Sequence, residues 1–435
     1  MNIKKARSKY VHPMVAARIS AGTRQSLQVI IYSNKTISEI KECVLEKNGK
    51  IKYELPFINA VAAEIPSDSV DPIALHNMIK FIDEDNKVFK TVDIARKFMG
   101  SDAVNDNGYT GKGIGIAVVD TGVAPHSDLV KPKNRIVAFK DLINNRESPY
   151  DDDGHGTHVA GIAAGNGFST SKYKGVAPDA NIIAVKALDD TGSGSTSDIL
   201  AGIQWVVDNK DKYNIKILNL SLGTPADTTY REDPLAKGAA AASNYGICVV
   251  TAAGNSGPNR RTINSPGISP FVITVGSIDD NRTTSYEDVF VAEFSSRGPT
   301  LSGEIKPDIM APGVDIVSLS NKNPSGYTSH SGTSMSTPFV SGAIALLYEK
   351  NSNISPDQAK RIVKSTAIPI RGESRISQGA GVADISKMLN VKKVNTTPSA
   401  YVPKKPQKSD GLRKIASLPF SSDDMNLMFL IYLLL

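Results

Sequence analysis

Residues 114–122 read Ile-Gly-Ile-Ala-Val-Val-Asp-Thr-Gly. The first six form an apolar run with no polar alternation, the mark of a strand covered on both faces. It stops at a carboxylate, Asp120, and a turn. Working outward, similar apolar runs recur at Ile182–Lys186, Ile215–Leu220, Ile247–Ala252 and Val272–Val275. Segments with helical spacing lie between them, around Thr157–Ala164, Asp198–Asn209 and Leu235–Asn244. Short apolar strands alternating with helices predict an α/β fold, a mostly parallel central sheet with helices on both faces. Ligand sites in such sheets lie outside the carboxyl ends of the strands. Asp120 therefore stands where chemistry is expected.

This pattern fills residues 96–390 of a 435-residue chain. Upstream, 25–95 reads as a small α+β domain. Leu27–Tyr32, Lys50–Leu55 and Ala60–Ile65 are strands, Ile37–Lys47 and Asp71–Lys80 are helical, and an extended piece lies near Val88. Residues 1–24 form a basic segment, and 391–435 a flexible tail rich in Pro, Lys, Ser and Thr with a short apolar end. The net charge of +6 sits at these ends: +6 in the first segment and +4 in the tail leave −4 for the body. No basic groove is implied, so nucleic acid is not an expected partner. Cys43 and Cys248 cannot build a disulfide framework or a four-thiolate zinc site. No run reaches the roughly 18 apolar residues of a membrane span, and no signal-peptide core precedes residue 25. A cytoplasmic protein is expected.

Three further motifs follow Asp120. Asp151-Asp-Asp-Gly-His155-Gly-Thr-His158 places a histidine between two glycines that leave space beside it. The spacing of His155 and His158 suits two metal ligands on one helix face, but the His-Glu-x-x-His pattern is missing. Packing of His158 within its helix is preferred, and no metal ligand is assigned. Asp151 to Asp153 read as acids that solvate the loop. Thr251-Ala-Ala-Gly-Asn255 ends another strand, where an asparagine amide can donate to a developing oxyanion. Gly332-Thr-Ser334-Met-Ser-Thr-Pro338 opens a helix, whose free N–H groups favour negative charge at Ser334. Pro338 is read as falling in that helix's first turn. Gly111-Lys-Gly113-Ile-Gly115 hints at a nucleotide loop, but it precedes its strand and lacks a Gly-Lys-Ser/Thr sequence.

Asp120-Thr-Gly, His155-Gly-Thr-His-Val-Ala-Gly and Gly332-Thr-Ser-Met-Ser-Thr-Pro, in that order, resemble the signatures of the subtilisin-like serine proteases, or subtilases. The resemblance covers about residues 95–385. It implies a serine endopeptidase of broad specificity that hydrolyses peptide bonds through an acyl-enzyme. Ser334 would be the nucleophile, His155 the general base, Asp120 its orienting acid, and Asn255 with the Ser334 N–H the oxyanion donors. Gly192, Ser193 and Gly194, with Ser221, Leu222 and Gly223, would be strand edges that pair with an extended polypeptide substrate. Ala253 and Gly254 would help line the pocket before the scissile bond. Residues 25–95 would be a propeptide that inhibits intramolecularly, with self-cleavage between Asn86 and Gly100. No cofactor is required for the chemistry. A structural calcium is not supported at the usual loop, because Gly165–Lys174 carries no carboxylate; Asp151–Asp153 or Asp189/Asp190 could still hold one. The rival reading is a catalytically silent peptide-binding homologue.

Overall fold

The computed structural model describes residues 26–85 and 94–391, with isolated positions between 10 and 19. The chain divides into two units, 1–92 and 93–435. The first contains β1 (Ser26–Ser33), α1 (Ile37–Glu46), β2 (Lys50–Leu55), β3 (Ala60–Pro66) and β4 (Ile79–Glu84). These strands form one antiparallel sheet in the order β2-β3-β1-β4. Leu27, Val29 and Ile31 alternate inward with the period of two, in the same core as Ile40, Cys43 and Val44 of α1. Helix α1 starts on a capping box: Thr36 Oγ1 accepts from the Glu39 N–H, and the Glu39 carboxylate accepts from the Thr36 N–H.

The helix expected over 71–80 is not formed. Only Val70–Ala74 is helical, and the chain then enters β4. Ile79 and Ile82 are buried in antiparallel pairing with Ser33 and Ile31 of β1. Cross-strand pairing outweighs the local helical spacing. The extended piece near Val88 lies outside the described residues.

In the second unit the chain runs through β5 (Gly115–Asp120), β6 (Ile136–Asp141), α2 (His155–Ala164), β7 (Asn181–Lys186), α3 (Thr196–Asp208), β8 (Ile215–Leu220) and α4 (Pro234–Asn244). It continues through β9 (Cys248–Ala252), β10 (Ile273–Asp279), β11 (Phe290–Val291), β12 (Ile309–Pro312), the hairpin β13 (Ile316–Leu319) and β14 (Tyr327–His330), α5 (Thr333–Lys350) and α6 (Pro356–Ser365). The sheet order is β11-β10-β9-β8-β5-β7-β6, with β12 also on β10. All pairs are parallel except β10 with β11. Side chains of β5 divide between the faces. Ile116 and Val118 share a core with Val159 of α2 and Ile344 of α5, while Ala117 and Val119 share one with Ile199 of α3 and Leu235 of α4. The later strands lie on one side of β5 and β6 and β7 on the other, which makes its carboxyl end a topological switch point. The sequence pattern does not reveal β6 or β11 to β14; β6 buries only its two end residues fully.

Helix α5 is buried on nearly every side, so it carries little amphipathic signal. Pro338 sits in its second turn, not its first. A proline there removes the N–H that would bond the Ser334 carbonyl. Ser221 Oγ supplies the missing donor, 2.9 Å from that oxygen. Among the described residues no helix is long and apolar enough to cross a membrane.

Candidate active site

Asp120, the last residue of β5, is fully buried. His155 begins α2, and its Nδ1 lies 2.7 Å from Asp120 Oδ1. The same oxygen accepts from the Thr121 N–H at 2.8 Å. Thr121 Oγ1 donates to Asp151 Oδ1 (2.9 Å) and accepts from the Gly156 N–H (2.9 Å), which ties the end of β5 to the start of α2. Burial by itself lowers the basicity of His155, but the charge and hydrogen bond of Asp120, with smaller contributions from Asp153 and Asp151, outweigh it. The imidazole pKa is held above its ordinary value of 6.5.

The three acids before His155 do more than solvate a loop. Asp151 is buried and accepts from Gly154 N, Thr157 N and Thr157 Oγ1 as well as from Thr121, so it braces the first turn of α2. Asp152 pairs at 2.6 Å with Lys186, whose ammonium also donates to the carbonyls of Thr121 and Leu188. Asp153 Oδ1 accepts from the His155 N–H at 2.9 Å. The signal for this arrangement was Lys186 itself. A lysine ending a buried strand needs a carboxylate partner.

His158 does not join His155. It is fully buried, and Nε2 donates to the carbonyls of Ile316 and Thr328 on the β13–β14 hairpin at 3.1 and 3.2 Å. Burial, aided by the nearby His330 and His155, pushes its pKa down to about 3, so it packs as a neutral ring.

Ser334 lies in the first turn of α5. Its hydroxyl donates to the Ser221 carbonyl at 3.0 Å, and no hydrogen bond joins it to His155 among the described residues. Its own N–H meets no acceptor among those residues. Asn255, past the end of β9, is oriented through Oδ1, which accepts from Thr333 N (2.9 Å) and Thr333 Oγ1 (3.0 Å). That leaves Nδ2 to face the Gly332 side. A Cβ placed on Gly332 would be 3.3 Å from Asn255 Nδ2 and 3.8 Å from Ser334 N. The two donors thus lie near one point beside Gly332.

A cleft of about 580 Å³ is lined by His155 and Ser334 together with Thr121 and Asp153. Its other walls include Gly192, Ser193, Gly194, Ser221, Leu222 and Gly223, with Leu188, Ile199 and Leu235 adding apolar surface. Ala253 and Gly254 are buried outside that lining; Gly254 N donates to Thr333 Oγ1, and its carbonyl accepts from Ser296.

Residues 165–174 offer no carboxylate to a calcium ion. Asn166 spends its amide on the Lys131 carbonyl and the Phe168 N–H, and Asp128 holds Ser169 N and Tyr327 OH. The side-chain oxygens of Asn166 and Asp128 thus already have protein donors. Asp151 is saturated in the same way, and Asp189 Oδ1 accepts from Thr191 and Ser193. Among the described residues no group of three or more His, Cys, Asp or Glu side chains is placed to hold a metal ion. The glycine run before β5 holds its own carboxylate: Thr110 N and Gly111 N both donate to Glu349 Oε2 at 2.7 Å.

Comparison with known proteins identifies the family. The subtilase family model matches residues 111–401. Serine protease AprX of Bacillus subtilis (strain 168) is 42% identical over 367 residues, covering 78% of this chain and 81% of that protein. Subtilisin E of the same organism is 33% identical over 354 residues, covering 80% and 84%. Among solved structures, Sphericase superposes with a TM-score of 0.56 at 33% identity, covering 65% of this chain and 96% of its own. A cold-adapted subtilisin-like serine proteinase gives 0.50 at 33%, covering 64% and 89%. The chain belongs to the subtilase family and is a subtilisin-like serine endopeptidase.

Proposed function

We propose that Ser334, His155 and Asp120 act as nucleophile, general base and orienting acid, with Asn255 Nδ2 and the Ser334 N–H as oxyanion donors. The observation that carries this reading is convergence. An Asp–His pair whose carboxylate is buried, a serine hydroxyl and two uncommitted N–H donors come together from the ends of β5 and β9 and the starts of α2 and α5. Rotation of Ser334 about χ1 takes its hydroxyl from the Ser221 carbonyl toward His155, a hydrogen bond that tightens when substrate is bound. His155 takes the proton as Oγ attacks the carbonyl carbon, and the tetrahedral oxyanion is met by the two donors. His155 then protonates the leaving amine, and water cleaves the acyl-enzyme by the same steps in reverse order.

The substrate chain extends between the edges 192–194 and 221–223 and pairs through its main chain, which supports broad specificity. The N-terminal unit acts as an intramolecular inhibitor, removed by self-cleavage between Asn86 and Gly100; residues 86–93 of that segment lie outside the described ones. The test is incubation of the purified chain with an unfolded polypeptide, wild type beside Ser334→Ala, with sequencing of the new N-termini. Wild type should cut the polypeptide and itself, and the variant should do neither, losing about 10⁴- to 10⁶-fold in rate. Cutting by both would refute the assignment of Ser334. Cutting of the polypeptide by a wild type that keeps its own N-terminus would refute self-processing.

A further inference from the structure

Lys186 has no part in the proposed chemistry, yet it stands beside its centre. It ends β7, and in the parallel ladder its partner on β5 is Asp120. Its side chain is fully buried. An ammonium has three hydrogens to donate, and all three are taken. The Thr121 carbonyl accepts one at 2.8 Å, the Leu188 carbonyl one at 2.9 Å and Asp152 Oδ1 one at 2.6 Å. These acceptors lie on three segments of the chain. Thr121 follows Asp120 and donates its N–H to Asp120 Oδ1, the oxygen that meets the His155 ring. Asp152 belongs to the loop that leads into α2, next to the residue whose carboxylate takes the His155 N–H. Leu188 lies just past β7, and its N–H, like that of Ala187, donates to the Asp120 carbonyl.

Burying an ammonium is costly unless its partners are held in place. An apolar side chain would fill the end of a buried strand without that cost, so packing alone does not account for the lysine. We propose that Lys186 is a positioning residue for the proposed Asp120–His155 pair: its ammonium clamps the end of β5 against the loop before α2 and so sets the reach from Asp120 to His155. It does not line the cleft. It acts through the Thr121 peptide, whose N–H aims Asp120 Oδ1, and through Asp152, which anchors the loop ahead of His155. With the clamp gone, both segments can shift, and a misplacement of about 1 Å in a catalytic group costs up to about 10²-fold in rate. The inference rests on the roles proposed for Asp120, His155 and Ser334.

The main test variant combines Lys186→Met with Asp152→Asn, which removes the clamp and both charges of the pair, so the local net charge is unchanged. kcat and KM are measured with a neutral peptide over a pH series. Both refer to sites counted by titration with an active-site serine reagent, which reacts only with folded protein. kcat should fall about 10- to 100-fold, with KM within about twofold of wild type. His155 is faced by Asp120, Asp151 and Asp153 and by His158 and His330, none of which is altered. Because Asp120 holds the pKa of the ring up, a looser contact should move the acid limb of kcat/KM to lower pH. Lys186→Arg keeps the charge and the donors. It should hold kcat within about fivefold of wild type and leave the acid limb in place. A double variant with wild-type kcat and acid limb overturns the inference and leaves Lys186 a structural residue. So does a fall in kcat without movement of the acid limb, or an equal fall in Lys186→Arg. Cleavage that survives in Ser334→Ala overturns the site beneath the inference, a result the same assay reads separately.

Discussion

At the scale of the residue, the decisive feature is that one carboxylate oxygen, Asp120 Oδ1, serves both the His155 ring and the Thr121 N–H. The imidazole is thereby held in one orientation and its pKa kept above the ordinary value. Because catalysis needs the neutral ring, kcat/KM should rise with pH through that raised pKa. In Asp120→Asn the charge is gone and burial acts unopposed by it, so the acid limb should move to lower pH. The same variant should lose about 10⁴-fold in kcat, since the ring loses its orienting acid. A pH–rate profile of both proteins checks the direction. Asn255 supplies a separate test. Asn255→Ala removes one of the proposed oxyanion donors and should cost about 10²- to 10³-fold in kcat, with KM changed far less. A steady-state titration with a neutral peptide separates the two constants.

At the scale of the element, helix α5 carries Ser334 at one end and a proline a turn later. The carbonyl orphaned by Pro338 belongs to Ser334 itself and is bonded by Ser221 Oγ, which in turn accepts from Asn219 Nδ2 at 2.9 Å. Asn219 Oδ1 accepts from Ser341 on the same helix at 2.8 Å. The hydroxyl of Ser221 thus connects β8, the proposed substrate edge and the backbone of Ser334. Ser221→Ala should destabilise the protein by about 1 kcal/mol, the cost of losing the hydrogen bond to a half-buried carbonyl. Denaturant unfolding in the Ser334→Ala background, where self-digestion cannot interfere, measures it.

At the scale of the whole molecule, the larger unit closes its C-terminal part around a buried charge. Asp308 at the start of β12 pairs with Lys306 at 2.5 Å and with Lys360 and Lys364 of α6 at 3.1 and 3.2 Å. It also accepts from the Thr274 N–H of β10 at 3.0 Å. Burial alone would raise its pKa, but the three ammonium groups hold it far below the usual carboxylate range. A depressed aspartate contributes stability above its unfolded pKa, near 3.8, and loses it as pH falls toward the folded value. Asp308→Asn should therefore cost about 3 kcal/mol near neutrality, because it strands the buried Lys306. The gap from wild type should narrow in strong acid. Unfolding curves over a pH series test both statements.

The sequence by itself determined the parallel α/β sheet, because strands such as Ile215–Leu220 are apolar throughout and only a doubly covered sheet explains them. It also pointed to the four residues proposed for the site, since each stands at a strand end or helix start within a long motif. Tertiary structure alone decided the rest. Residues 79–84 became β4 because β1 offered an antiparallel partner, which no local pattern encodes. Asp151, Asp152 and Asp153 look alike in the chain, yet one braces a helix, one neutralises a buried lysine and one is left facing the cleft. Hydrogen-bond partners brought together from distant strands give identical side chains different roles, and that meeting exists only once the chain is folded.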